Sequence, residues 1–183
     1  MVKAVLLHDV GKIAVPETIL LKQNGLSEME LCQLKAHTLC GYDMRMNART
    51  LTGGENSFLS CAADAALSHH ENWDGTGYPQ GLKGQEIPLI GRLIAVAEAY
   101  DTHREGSVES VSMSYEEVVR FIEEKSGLYF DPDIVNVFLL LSDQFEQLLN
   151  ESNEPDASGK DPFPFTPVKN NVETENKSIT YSA

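Results

Sequence analysis

Apolar residues recur at helical intervals along most of this chain, and glycine, proline and capping residues mark the breaks between runs. The opening, VKAVLLHDVGK, is apolar from the second residue and offers no Ser, Thr, Asp or Asn to cap an entering helix. It reads as the second half of a helix that Gly11 and then Pro16 bring to an end. LSEMELCQLKAHTLCG (26–41) predicts a second helix, opened by a Ser27/Glu30 capping box, with Leu31, Leu34 and His37 three apart on an inward stripe. SFLSCAADAALSHHE (57–71) predicts a third, whose alanines let a neighbour approach closely. Residues 72–86 carry Gly75, Gly77, Gly81 and Gly84 and read as a loop, after which Pro88 opens a helix over 88–103. Residues 104–112 are small and polar. Ser114 and Glu117 form another capping box before a helix stopped by Gly127, and Asp131-Pro132 leads into a last helix reaching residue 150. No strand-type alternation and no internal repeat is present, so the class is all-α. Beyond about residue 150 the pattern gives way to polar residues and prolines, which predicts one domain over 1–150 and a disordered tail over 151–183.

Composition narrows the function. The 183 residues are 42% hydrophobic, enough for one domain with a sizeable core. A net charge of −14, from 28 acidic and 14 basic residues, excludes a nucleic-acid surface or a basic membrane-surface helix. It also means that a site for an anionic substrate must reverse the local sign, most cheaply with bound metal cations. Three cysteines, an odd number with no CxxC pair, predict small reduced thiols in the core of a cytoplasmic protein. No run approaches ~18 apolar residues, so no membrane span is expected.

The chemistry gathers around LSHHENWDGTGYP (67–79), where two adjacent histidines run into a glycine-rich loop. Four of the five histidines fall at three places, His8 beside Asp9, His37, and His69 with His70, each on or at the end of a predicted helix. Singly, each has a plain structural explanation: a satisfied core histidine, a chance His-Asp pair, an imidazole complementing a helix C-terminus. Together, on helices expected to pack against one another, they form a metal-ligand set, because imidazole is the commonest ligand for borderline metals and a carboxylate can bridge two ions. Taken alone, the residues leave the metal and structural explanations both open.

HDVGK (8–12), LSEMELCQLKAHTLCG (26–41), HHENWDGTGYP (69–79), GLKGQEIPLIGRLIAVAEAYD (81–101) and SGLYFDP (126–132) resemble, in order and spacing, the HD-GYP family of HD-superfamily metal-dependent phosphohydrolases. The resemblance spans roughly residues 5–141. It implies an all-α HD-GYP-type helical bundle around two or three transition metals, usually iron or manganese, and hydrolysis of the bacterial second messenger cyclic di-GMP. Carried over by position, Asp9 bridges two metals, His8 binds the first, and His37, His69 and His70 bind the second. Lys12 meets the phosphate or hydroxide, which with Asp9 completes the implied catalytic pair. The loop residues Asp74, Gly75, Gly77, Tyr78 and Pro79 border the substrate, and the loop offers a contact surface for GGDEF or response-regulator proteins.

Three departures accompany the resemblance. The family places a metal-binding Glu and His on helices before the HD pair, whereas here only seven residues precede His8. Glu98 stands where the family has a ligand aspartate. Ser107, Val108, Glu109, Ser110 and Val111 occupy the place of an Arg-Pro-Tyr-Arg/Lys segment that holds substrate phosphates, which leaves Arg104 and Arg92 as the first alternative grips. The second metal's ligand set is therefore complete and the first is reduced, so one retained ion is an expectation beside two. Three readings stand: a cyclic-dinucleotide phosphodiesterase, an HD-GYP module acting through protein contacts, and an HD hydrolase of another phosphate ester.

Overall fold

The structure is a computed structural model that describes residues 2–22, 25–51, 57–106 and 112–153. Eight α-helices are seen among them: α1 Val2–Val5, α2 Glu17–Leu20, α3 Glu28–Lys35, α4 His37–Leu51, α5 Ser57–Ser68, α6 Leu89–Glu105, α7 Tyr115–Glu124 and α8 Pro132–Asn153. No strand forms among the described residues, in keeping with an all-α class. The segment 107–111, and the predicted tail from residue 154 onward, lie outside the described residues. Helix α8 itself runs to Asn153, past the expected boundary at 150.

Several predicted boundaries move, each for a local reason. The opening helix stops at Val5, and His8 and Asp9 sit on the turn that follows, before a 3₁₀ segment Val10–Ala14. Backbone bonds there tighten to the i−3 type, with Leu7 N–H donating to Ala4 and His8 N–H to Val5. The single helix expected over 26–41 divides at Ala36. There His37 Nδ1 donates to the Leu34 carbonyl at 2.7 Å and Thr38 Oγ to the Lys35 carbonyl at 3.0 Å, so side chains cap α3 where its ladder ends. Helix α4 then runs through Gly41 rather than stopping there. Gly41 is a contact point: a Cβ on it would lie 3.1 Å from that of Ala66 in α5. His69 and His70 fall just past the end of α5. Leu31 is exposed, so α3 contributes no buried stripe, and Cys32 is exposed rather than a core thiol.

Two clusters form the core. One joins α6, α7 and α8 through Val96, Tyr100, Val118, Ile122, Phe130, Val135 and Phe138. The other packs Ala65 of α5 against Ile90 and Ile94 of α6, with Val5 and Cys61 alongside. Small residues set the distances between elements near the site. A Cβ on Gly11 would lie 1.9 Å from the His37 carbonyl oxygen, and one on Gly91 would lie 2.2 Å from Ser68 Oγ. Backbone thus meets backbone where the turn bearing His8 and Asp9 crosses α4.

Candidate metal centre

Arg45, buried in α4, donates from Nη2 to the Leu7 carbonyl at 2.6 Å and fixes the turn that presents His8 and Asp9. His37 enters from the start of α4, and His69 and His70 from the end of α5. Three of these imidazoles are oriented the same way. His8 Nδ1 faces the Val5 carbonyl at 2.7 Å, His37 Nδ1 that of Leu34 at 2.7 Å, and His69 Nδ1 that of Ala65 at 2.9 Å. A carbonyl can only accept, so each Nδ1 carries a proton, and it is Nε2, the nitrogen that offers a lone pair when the ring is uncharged, that turns inward.

Those lone pairs converge on one carboxylate. His37 Nε2 lies 3.4 Å and His69 Nε2 3.6 Å from Asp9 Oδ1, and the two nitrogens are 3.3 Å apart. Asp9 Oδ1 is itself buried without a hydrogen-bond partner. With His70, these residues offer four donor atoms all within 4.8 Å of one another, and His8, His69 and Glu98 form a second such group. A cation fits both the chemistry and the spacing. Two facing lone pairs and an orphaned anionic oxygen repel unless a positive charge lies between them, and an ion about 2.1 Å from each donor sets neighbouring donors roughly 3.0–3.4 Å apart.

The electrostatics favour the ligand forms. Burial works to raise the Asp9 carboxyl, but its contacts with His69, His8 and Lys12 outweigh this and hold it well below the usual carboxylate range. Lys12 Nζ donates to Asp9 Oδ2 at 2.5 Å, which leaves Oδ1 toward the histidines. Burial lowers His37, and burial together with the neighbouring His69 and His37 brings His70 down to about 3, so both rings are neutral near pH 7. His8 goes the other way, raised chiefly by Asp9.

The glycine-rich loop is anchored to this centre. Glu71, 2% exposed, accepts from the backbone N–H of Gln80 at 2.7 Å and of Leu82 at 3.0 Å. Tyr78 N–H donates to the His70 carbonyl at 3.1 Å, and the Tyr78 ring stacks on His70 with centroids 4.8 Å apart. Gly77 has no room for a side chain, since a Cβ would meet Asn72 N at 2.2 Å. Asp74 is engaged by its own turn, Oδ1 accepting from Thr76 N at 2.9 Å and Thr76 Oγ at 2.6 Å. Gly75 follows at φ +87°, and Pro79 continues the loop after a cis Tyr78–Pro79 bond.

Two clefts flank the donor groups. One, of about 600 Å³, is lined by the polar His8, Asp9, Glu98 and Asp101 together with the apolar Val5, Ile94, Phe145 and Leu148. The other, of about 440 Å³, is bordered by His69, His70, Gly77, Tyr78, Glu98, His103 and Lys35. The two expected alternative phosphate grips are committed elsewhere. Arg92 donates to the Ile87 carbonyl and to buried Asp131, and Arg104 to both carboxylate oxygens of Glu146 and to the Met113 carbonyl. Sequence reasoning had not singled out Lys35, Glu71 or His103. Lys35 has the composition of an ordinary helix end, and nothing short of the fold places it beside Tyr78.

The chain matches the HD domain family over residues 1–134. It belongs to that family, on its HD-GYP branch. Among its relatives is a cyclic di-GMP phosphodiesterase of Vibrio cholerae serotype O1, 42% identical over 144 residues, which cover 78% of this chain and 29% of the relative. A cyclic di-GMP phosphodiesterase of Thermotoga maritima is 38% identical over 83% of this chain and 40% of its own length. A 3'3'-cGAMP-specific phosphodiesterase of Vibrio cholerae is 32% identical over 76% of this chain and 26% of its own. The chain thus spans well under half the length of these relatives. Among the described residues no helix is long and apolar enough to cross a membrane.

Proposed function

We propose that this chain is the catalytic domain of a metal-dependent phosphodiesterase that cuts cyclic di-GMP or a closely related cyclic dinucleotide in bacterial signalling. The observation that carries this reading is the partnerless Asp9 Oδ1 facing the Nε2 atoms of His37 and His69. Asp9, His37, His69 and His70 would hold one transition metal, iron or manganese; His69 offers only its Nε2, so a second ion beside it would draw on His8 and Glu98 alone from the other group. Bound there, such ions lower the pKa of an attacking water and draw charge from the phosphoryl oxygens. They also give an acidic chain the local positive charge that a phosphodiester requires.

The protein's own groups prepare the site. Lys12 fixes the Asp9 carboxylate and presents a cation at the edge where a phosphate would arrive. Burial keeps His37 and His70 uncharged, so neither must lose an imidazolium proton before binding a metal. Tyr78 walls the centre on the loop side, with Gly77 allowing the loop to lie against Glu71 and Asn72. Asp74, Gly75 and Pro79 shape the loop, whose exposed Gln80, Lys83 and Gln85 would face a GGDEF or response-regulator partner.

Chromatography of reactions containing metal-loaded protein and cyclic di-GMP or 3'3'-cGAMP tests the proposal. Release of a linear dinucleotide or mononucleotide, abolished in Asp9→Asn, is expected. Intact substrate after prolonged incubation with the metal-loaded protein would refute the enzymatic reading and favour a module acting by protein contact.

A further inference from the structure

A cyclic dinucleotide carries two anionic phosphodiesters in one ring, and only one is cut at a time. The other needs its own counter-charge in a chain of net charge −14. Most cations near the centre are already engaged: Lys12 with Asp9, Arg45 with the Leu7 carbonyl, Arg92 with Asp131 and Arg104 with Glu146. Lys35 is not. It stands half-buried in the last turn of α3, two residues before His37, and makes no ion pair with a described residue. Its Nζ lies 4.7 Å from the centroid of the Tyr78 ring, the same ring that stacks on His70. Lys35 is also the one Lys or Arg among the residues lining the 440 Å³ cleft, whose wall includes Glu98.

A lysine resting on an aromatic face keeps its charge and its three donors while its stem is held in place. We infer that Lys35 grips the uncut phosphodiester of the substrate, so that a cyclic dinucleotide is anchored both at the metal-binding histidines and at the mouth of the Tyr78 cleft. This inference rests on the phosphodiesterase reading and adds a specificity residue to it. The anchor discriminates by charge count: a ligand with a single phosphodiester gains nothing from Lys35.

Calorimetric titration of the metal-loaded protein with cyclic di-GMP tests the inference, alongside hydrolysis of cyclic di-GMP and of bis(p-nitrophenyl) phosphate. In Lys35→Gln, cyclic di-GMP affinity should fall about tenfold or more, as for a lost charge-assisted phosphate contact. The preference for cyclic di-GMP over the single phosphodiester should fall by a similar factor, mainly through KM, with bound metal unchanged. Lys35→Arg should restore most of the affinity. Unchanged affinity in Lys35→Gln overturns the inference and leaves the phosphodiesterase reading standing. Equal losses on both substrates also overturn it, because Lys35 would then support the centre itself. If the parent protein binds cyclic di-GMP but cuts neither substrate, the phosphodiesterase reading fails, and the titration alone still decides for or against Lys35.

Discussion

His69 is the most consequential single side chain, because it belongs to both donor groups. His69→Ala should therefore remove nearly all bound metal. His8→Ala, which touches only the group with Glu98, should leave a substantial fraction in place. Elemental analysis of both variants, purified without chelator, makes the comparison. Acid should act on the same residues. Burial disfavours the imidazolium of His70, so its folded-state pKa of about 3 lies below the ordinary 6.5, and the unfolded chain takes up the proton first. Stability should then be full above about pH 6.5 and decline as pH falls toward 3, by at most about 1.4 kcal/mol per pH unit for this group. His37 shifts in the same direction, whereas His8, raised by Asp9, favours folding at low pH and offsets part of the loss. Chemical denaturation of the metal-free protein between pH 7 and pH 4 measures the balance, and no loss of stability would contradict it. The donor residues were legible in the sequence because imidazole and carboxylate types recur beside unmistakable turn motifs. Their tautomers were not, since these depend on the carbonyls of Val5, Leu34 and Ala65. Nor was the engagement of Arg92 and Arg104, whose partners lie 39 and 42 residues away.

Among the elements, the capping signals and the close approach allowed by the alanines of α5 were read correctly, and the close contacts at glycine were not. The Ser27/Glu30 and Ser114/Glu117 capping boxes are both present. Gly11 looked like a helix stop and Gly41 stood last in a predicted helix, but both are points where backbones meet, a property of the partner element that periodicity cannot reveal. Gly11→Ala puts that difference to the test. Its methyl would collide with the His37 carbonyl and Gly41 N, so it should cost about 2 kcal/mol and also weaken metal binding by displacing Asp9 from His37. Ser114→Ala, which removes a cap from α7, should cost about 1 kcal/mol with metal binding intact. Paired thermal melts and metal titrations distinguish a site-coupled loss from a purely local one. Equal metal affinity in the two variants would show that the Gly11 contact does not position the centre.

For the molecule as a whole, the all-α class and the order of the helices followed from periodicity, but the division of the core into two clusters did not. One cluster ties α6 to α7 and α8, while the other holds α5 against α6 under the donor groups. That second layer is rich in alanine and supports buried histidines, so a bound ion should contribute measurably to its stability. With free metal at a hundredfold excess over Kd, binding adds about 2.7 kcal/mol. For a domain of this size that is roughly 5–10 °C in Tm, which a chelator should reverse.

Stepwise addition of manganese or iron(II) to chelator-treated protein, with cyclic di-GMP turnover followed at each step, is the most direct measurement. Turnover should rise from baseline with bound metal, level off when the donor groups are filled, and stay at baseline throughout in Asp9→Asn. Turnover that is independent of added metal, or an Asp9→Asn curve that matches the parent protein, would contradict the assignment of these residues as the catalytic metal centre.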